Sequence, residues 1–223
     1  MRCLLTAFAF ALSALLGTSA IRGAETSANH DFDDWKASPH GRAGVSCERC
    51  HRAGGLRQDL PSTDPKSPVY FTTVPQTCGA CHAAEFAAFR KSAHFRELER
   101  SGRGPNCVTC HGAMASRVLT PHDLQITCAL CHRSPAPAQA ALRALLSSRA
   151  SLRALESALA RAKTTGAGTA RQESSRAESR RLYQRASDTW HTFRVADVAR
   201  DAEESERISR EASNELRMKR NIP

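Results

Sequence analysis

Four copies of one five-residue pattern constrain this chain more than any other feature: Cys47-Glu-Arg-Cys50-His51, Cys78-Gly-Ala-Cys81-His82, Cys107-Val-Thr-Cys110-His111 and Cys128-Ala-Leu-Cys131-His132. The chain has nine cysteines, and only Cys3, in the apolar run at the N-terminus, lies outside the pattern. Cys-x-x-Cys-His is the attachment signature of c-type haem. Two thiols add to the two porphyrin vinyl groups, and two intervening residues let both sulfurs reach one edge of the ring. The following histidine then comes beneath the macrocycle and places an imidazole nitrogen on the iron, as the proximal ligand. Structural disulfides would suit an exported protein but need no histidine after each pair. A zinc ribbon needs two cysteine pairs per metal and no invariable trailing histidine. A thioredoxin-like redox pair would occur once, not four times. The pattern therefore predicts four covalently attached haem c groups, held by Cys47, Cys50, Cys78, Cys81, Cys107, Cys110, Cys128 and Cys131. Their irons would be ligated by His51, His82, His111 and His132.

The spacing leaves little chain for each cofactor. Motif starts are 31, 29 and 21 residues apart, and Phe, Tyr and Trp together number only twelve among 223 residues. Porphyrin must then supply the buried apolar surface, with polypeptide as wrapping. No Walker loop, GxGxxG turn or HExxH helix is present. The single apolar run excludes a polytopic membrane fold. That run follows Met1-Arg2, extends from Cys3 to Leu16 and closes on Gly17-Thr18-Ser19-Ala20. It reads as a signal peptide over residues 1–20, cleaved after Ala20, which places the rest of the chain in the periplasm. An uncleaved membrane anchor is the other reading, since Cys3–Ile21 is uncharged between Arg2 and Arg22.

Residues 25–133 form the expected tetrahaem domain, and an internal repeat lies within it. Asp31-Phe-Asp-Asp-Trp-Lys-Ala-Ser-Pro-His40 aligns with Glu85-Phe-Ala-Ala-Phe-Arg-Lys-Ser-Ala-His94, and Thr120-Pro-His122 is a shortened echo. Phe32 and Trp35, like Phe86 and Phe89, share one face of a short helix and should pack on porphyrin or on a neighbouring helix. Each repeat ends on a histidine ahead of a motif. Iron offers four sixth positions, so His40, His94 and His122 are expected distal ligands, on irons the sequence does not specify. Met114 follows His111 too closely to reach the opposite face of the same ring, and paired histidines favour lower potentials than His/Met pairs.

Residues 138–220 are rich in Ala, Leu, Arg and Glu, good helix formers, broken by Thr164-Thr-Gly-Ala-Gly-Thr169. Leu145, Leu152, Leu155 and Leu159 form one apolar stripe, and Leu182, Ala186, Trp190 and Phe193 a facing one. The expected arm is an antiparallel helical hairpin. A turn near residue 167 sets His191 opposite residue 143, against the haem region, as the fourth distal ligand. His30 is the rival, and one open iron the remaining possibility. Lys and Arg number 12 against 11 acidic residues over 25–132, and 18 against 11 from Arg133 onward. With two propionates on each haem, the haem region should be anionic and the arm cationic. The arm's arginines would form a solvated face with i,i+4 pairs, or some would clamp propionates and dock the arm. The compartment and the lack of a binding motif argue against nucleic acid.

The run Cys78–His132, with an aromatic helix leading to Ser-x-His and then His111-Gly112, resembles the multihaem cytochromes c. In that family, tetrahaem electron shuttles are related to the haem cores of cytochrome c nitrite reductase and hydroxylamine oxidoreductase. The resemblance covers Phe32–His132 well and the helical arm weakly. It implies bis-histidine haems in close pairs and electron transfer, sometimes with one catalytic five-coordinate haem. The larger enzymes' extra haems and the Cys-x-x-Cys-Lys variant are missing here, and no tyrosine cross-link is predictable from Tyr70 or Tyr183. The expected fold is mainly α with much irregular loop, wrapped around four haems, plus the hairpin. The expected function is periplasmic electron transfer with other redox proteins, cytochromes or a periplasmic oxidoreductase. The alternatives are a small reductase of nitrogen or sulfur oxyanions and a haem subunit of a larger redox complex.

Overall fold

The computed structural model describes residues 31–56, 59–164 and 169–220. The expected signal peptide and the rival ligand His30 lie outside them. The described residues contain eleven α-helices, one 3-10 turn and no strand. Eight helices are short: α1 (Phe32–Ala37), α2 (Pro39–Arg42), α3 (Glu48–His51), α4 (Val74–Gly79), α5 (Ala83–Phe89), α6 (Ala93–Ser101), α7 (Cys107–His111) and α8 (Pro121–Ala129). Three are long: α9 (Ala136–Thr164), α10 (Ala170–Trp190) and α11 (Val195–Arg220). None is long and apolar enough to cross a membrane.

The repeat is a helix, a hydroxyl cap and a second helix. Ser38 donates to the Trp35 carbonyl at 2.7 Å, closing α1, and accepts from the Gly41 N–H at 3.1 Å, opening α2. Ser92 accepts from the Phe95 N–H at 3.0 Å and opens α6. Thr120 accepts from the Asp123 N–H at 3.2 Å and opens α8. The Ser/Thr-x-His pattern is thus an N-cap followed by a histidine at the second helical position. His40, His94 and His122 all occupy it. The two aromatic pairs differ. Phe32 stacks on Trp35 at 5.1 Å and remains exposed. Phe86 and Phe89 meet Phe95 edge to face, and Phe89 is buried.

The arm is where the sequence expectation needs correcting. It is three packed helices, not a two-helix hairpin, because the second expected helix breaks between Trp190 and Val195. No Gly or Pro marks the break. Thr189, Trp190, Thr192 and Phe193 are weak helix formers in succession, and Phe193 takes a left-handed conformation with φ +59°. The Thr192 hydroxyl caps the turn by donating to the Thr189 carbonyl at 2.7 Å. The chain then returns as α11 alongside α9 and α10. Leu152, Leu155, Leu159, Leu182 and Ala186 are buried as their periodicity implied. Phe193 leaves the stripe and faces the haem-motif region, 6.4 Å from Phe89.

Two apolar clusters fill the arm. One joins Ala141, Ala186, Val198 and Ala202 with Leu145 and Trp190 beside them. The other joins Leu155, Leu159, Ala212 and Leu216. A buried serine layer also joins the three helices: Ser148 donates to Ser205 at 2.8 Å, Ser205 to the Ser179 carbonyl at 2.8 Å, and Ser179 contacts Ser209 at 2.6 Å. Small side chains here let the helices approach closely, and each hydroxyl is satisfied. Arg185 donates to the buried Asp201 at 2.7 Å, linking α10 to α11.

Ser179→Leu should overpack this layer and cost about 1–3 kcal/mol. Urea unfolding followed by far-UV circular dichroism measures it, and a midpoint at or above wild type contradicts the packing described. The Arg185 guanidinium holds the Asp201 carboxyl below its ordinary range. That contribution is present above the unfolded carboxyl's titration range and fades as pH falls through the lowered native value. Asp201→Asn should therefore lower the unfolding midpoint at neutral pH and flatten its fall in acid. Parallel pH curves for the two proteins would refute this.

Candidate haem-binding site

Each Cys-x-x-Cys-His motif is folded as one helical turn. The His51 N–H donates to the Cys47 carbonyl at 3.0 Å, His82 to Cys78 at 2.9 Å and His132 to Cys128 at 2.8 Å, while Cys107–His111 is helix α7 itself. Positions i, i+3 and i+4 share one helix face. The turn therefore presents both thiols and the imidazole on the same side, as one macrocycle requires. All eight motif cysteines are free thiols. In the second motif Gly79 lies beneath Phe86 of the repeat, and a Cβ there would collide with the Phe86 ring.

Among the described residues, His82, His132 and His111 each lie near a histidine from outside the motifs. The His40 and His82 ring centroids are 5.9 Å apart, His94 and His132 5.8 Å, and His111 and His191 6.1 Å. A ligating nitrogen lies about 1.2 Å from its ring centre and bonds a metal at about 2.0 Å, so two imidazoles on opposite sides of one ion stand about 6.4 Å apart, slightly more than these pairs. Ring pairs at this range also occur in plain packing. These pairs differ in composition, since each joins one motif histidine to one from outside the motifs. The donors thus fit haem iron held between two imidazoles. His40 and His94 each skip the motif that follows them and meet the next one.

Hydrogen bonds orient two of the pairs. His111 Nδ1 lies 2.8 Å from the Arg117 carbonyl, and His40 Nδ1 lies 2.9 Å from Ser116 Oγ. A partner on Nδ1 leaves Nε2 as the ligating nitrogen. Burial, with His132 beside it, pushes the His94 pKa down; burial, with His111 beside it, does the same for His191. Both shifts favour the neutral imidazole, the form that binds metal.

Cysteines of consecutive motifs influence one another's titration. The Cys50 thiol is pushed up by burial and by Cys78 and Cys81 nearby. Cys78 shares a hydrogen bond with Cys107, which lowers the first thiol and raises the second. Cys110 is pushed up to about 11 by burial, with Cys128 and Cys131 adding to the effect. Each motif therefore neighbours the next. Several large apolar side chains of these segments are exposed: Phe32, Phe71, Val118, Ile126 and Leu130.

The structure does not bring His122 to a motif histidine. It holds the same capped position as His40 and His94, but its ring is exposed and sits beside Asp123. His51 is half-buried at the end of α3. Among the described residues, no group of three or more His, Cys, Asp or Glu side chains converges as a zinc cage would. The arm's arginines largely pair with neighbouring carboxylates, as Arg176 with Glu173 at 2.8 Å and Arg207 with Glu211 at 2.8 Å. Sequence reasoning passed over Asn106. Its side chain is buried, donates to the Phe71 carbonyl at 2.7 Å and forms a capping box with Thr109 inside the third motif. Asn followed three residues later by Thr was the available signal.

No family model, no curated protein and no solved structure matches this chain.

Proposed function

We propose that this protein is a periplasmic tetrahaem c-type cytochrome that carries electrons between redox partners. The observation that carries the reading is the set of three opposed imidazole pairs, each anchored on a Cys-x-x-Cys-His turn. When bound, haem c supplies an iron that cycles between ferrous and ferric states. The chain's own residues do the rest. The eight motif cysteines would hold the porphyrins through thioethers, each sulfur adding across one vinyl group with its hydrogen going to the other vinyl carbon. His51, His82, His111 and His132 would each hold an iron from within a motif. His40, His94 and His191 would share the irons of His82, His132 and His111. Two imidazoles on one iron close it to substrate, which favours a carrier over a reductase at those three centres. The nearness of cysteines from consecutive motifs supports a relay, since it would keep neighbouring centres close.

The distal ligands also brace the fold. His40 ties α2 to the second motif, His94 ties α6 to the fourth, and His191 ties the arm to the third. The surrounding apolar side chains would lie against porphyrin and keep water from it.

Intact mass of protein matured in a host competent for cytochrome biogenesis should equal the leaderless chain plus four haems. A colourless product, or one with two haems, contradicts the reading. Electron paramagnetic resonance of the oxidised protein tests the ligands. His40→Ala, His94→Ala and His191→Ala should each convert one iron to high spin, whereas His122→Ala should convert none. Wild-type spectra from all three first variants would refute the pairing.

A further inference from the structure

Phe193 is, among the described residues, the non-glycine residue with positive φ, at +59°. Glycine would adopt that conformation freely, and a phenylalanine adopts it only under constraint. Its ring packs edge to face against His94 with centroids 4.4 Å apart, and against Phe89 at 6.4 Å. Strain of this kind persists where the surrounding structure needs the side chain in place.

A second observation concerns the same histidine. His94 Nδ1 is buried with no hydrogen-bond partner. The other two pairs each have a satisfied Nδ1, on His111 against the Arg117 carbonyl and on His40 against Ser116. An imidazole that donates its Nδ1–H is the more basic ligand and stabilises ferric iron. One that cannot donate is the weaker ligand, which favours ferrous iron.

We propose that Phe193 is a positioning residue that keeps the Nδ1 edge of His94 dry, and so gives the His94–His132 centre the highest reduction potential of the three paired centres. The proposal rests on the haem reading above. It gives the turn after α10 two roles, with His191 ligating one centre and Phe193, two residues on, tuning another.

The test is a spectroelectrochemical titration of the full haem-bearing chain, with electron paramagnetic resonance on the same samples. Wild type is compared with Phe193→Gly and Phe193→Leu, and His94→Ala identifies which potential belongs to this centre. Glycine suits the backbone, so the turn and the His191 ligand should persist, with all irons as in wild type. Water then reaches Nδ1, one potential falls, and the ligand N–H exchanges faster with deuterium. Leucine bears the same backbone constraint as phenylalanine and stays apolar, so its potentials should match wild type. The proposal is overturned if the haem-loaded glycine variant titrates as wild type, or if leucine lowers the potential as far as glycine does. A new high-spin signal in the glycine variant would also overturn it, making the ring merely structural. A chain without haem would instead overturn the reading beneath it.

Discussion

The approach of two imidazoles to about 6 Å between ring centres is the constraint from which the rest follows. It appears at three places, and at each the partners come from distant parts of the chain. The region before α9 buries few large apolar side chains of its own, chiefly Phe89, Phe95, Leu98 and Leu124. Short capped helices alone would hold such a region weakly. Ligation by the paired histidines, as proposed, would join α2, α6 and the arm to separate motifs and supply the missing long-range ties. A ligand that binds the folded chain in this way contributes its binding energy to folding.

The arm has the opposite design. It carries two apolar clusters, a satisfied serine layer and cross-helix ion pairs, and so has its own reasons to fold. Its contribution to the site comes from one end. The break after α10 puts His191 and Phe193 on a short turn, where a continuous helix would have carried both past the haem motifs. A three-helix arm is therefore better suited than a hairpin to present a ligand: α11 packs along both neighbours and buttresses the turn.

How much of this was legible in the sequence depended on how local each signal is. The Cys-x-x-Cys-His turn is local, and so is the cap that precedes His40 and His94; spacing and residue type suffice for both. The placement of His191 at the base of the arm was legible because antiparallel helices of known turn position have a computable register. The break at Thr192 was not, because an accumulation of weak helix formers ends a helix only when tertiary contacts favour it, here Phe193 on His94 and Phe89. Which histidines meet was not legible either, since it depends on how the segments cross in space. His122 shows the limit of the local signal: its cap matches those of His40 and His94, yet its ring is turned to solvent.

The central claim concerns where iron sits. Anomalous scattering at the iron edge from crystals of the mature protein locates it directly. The account predicts four iron peaks, three of them midway between His40 and His82, His94 and His132, and His111 and His191. Fewer than four peaks, or irons lying away from these pairs, would contradict it.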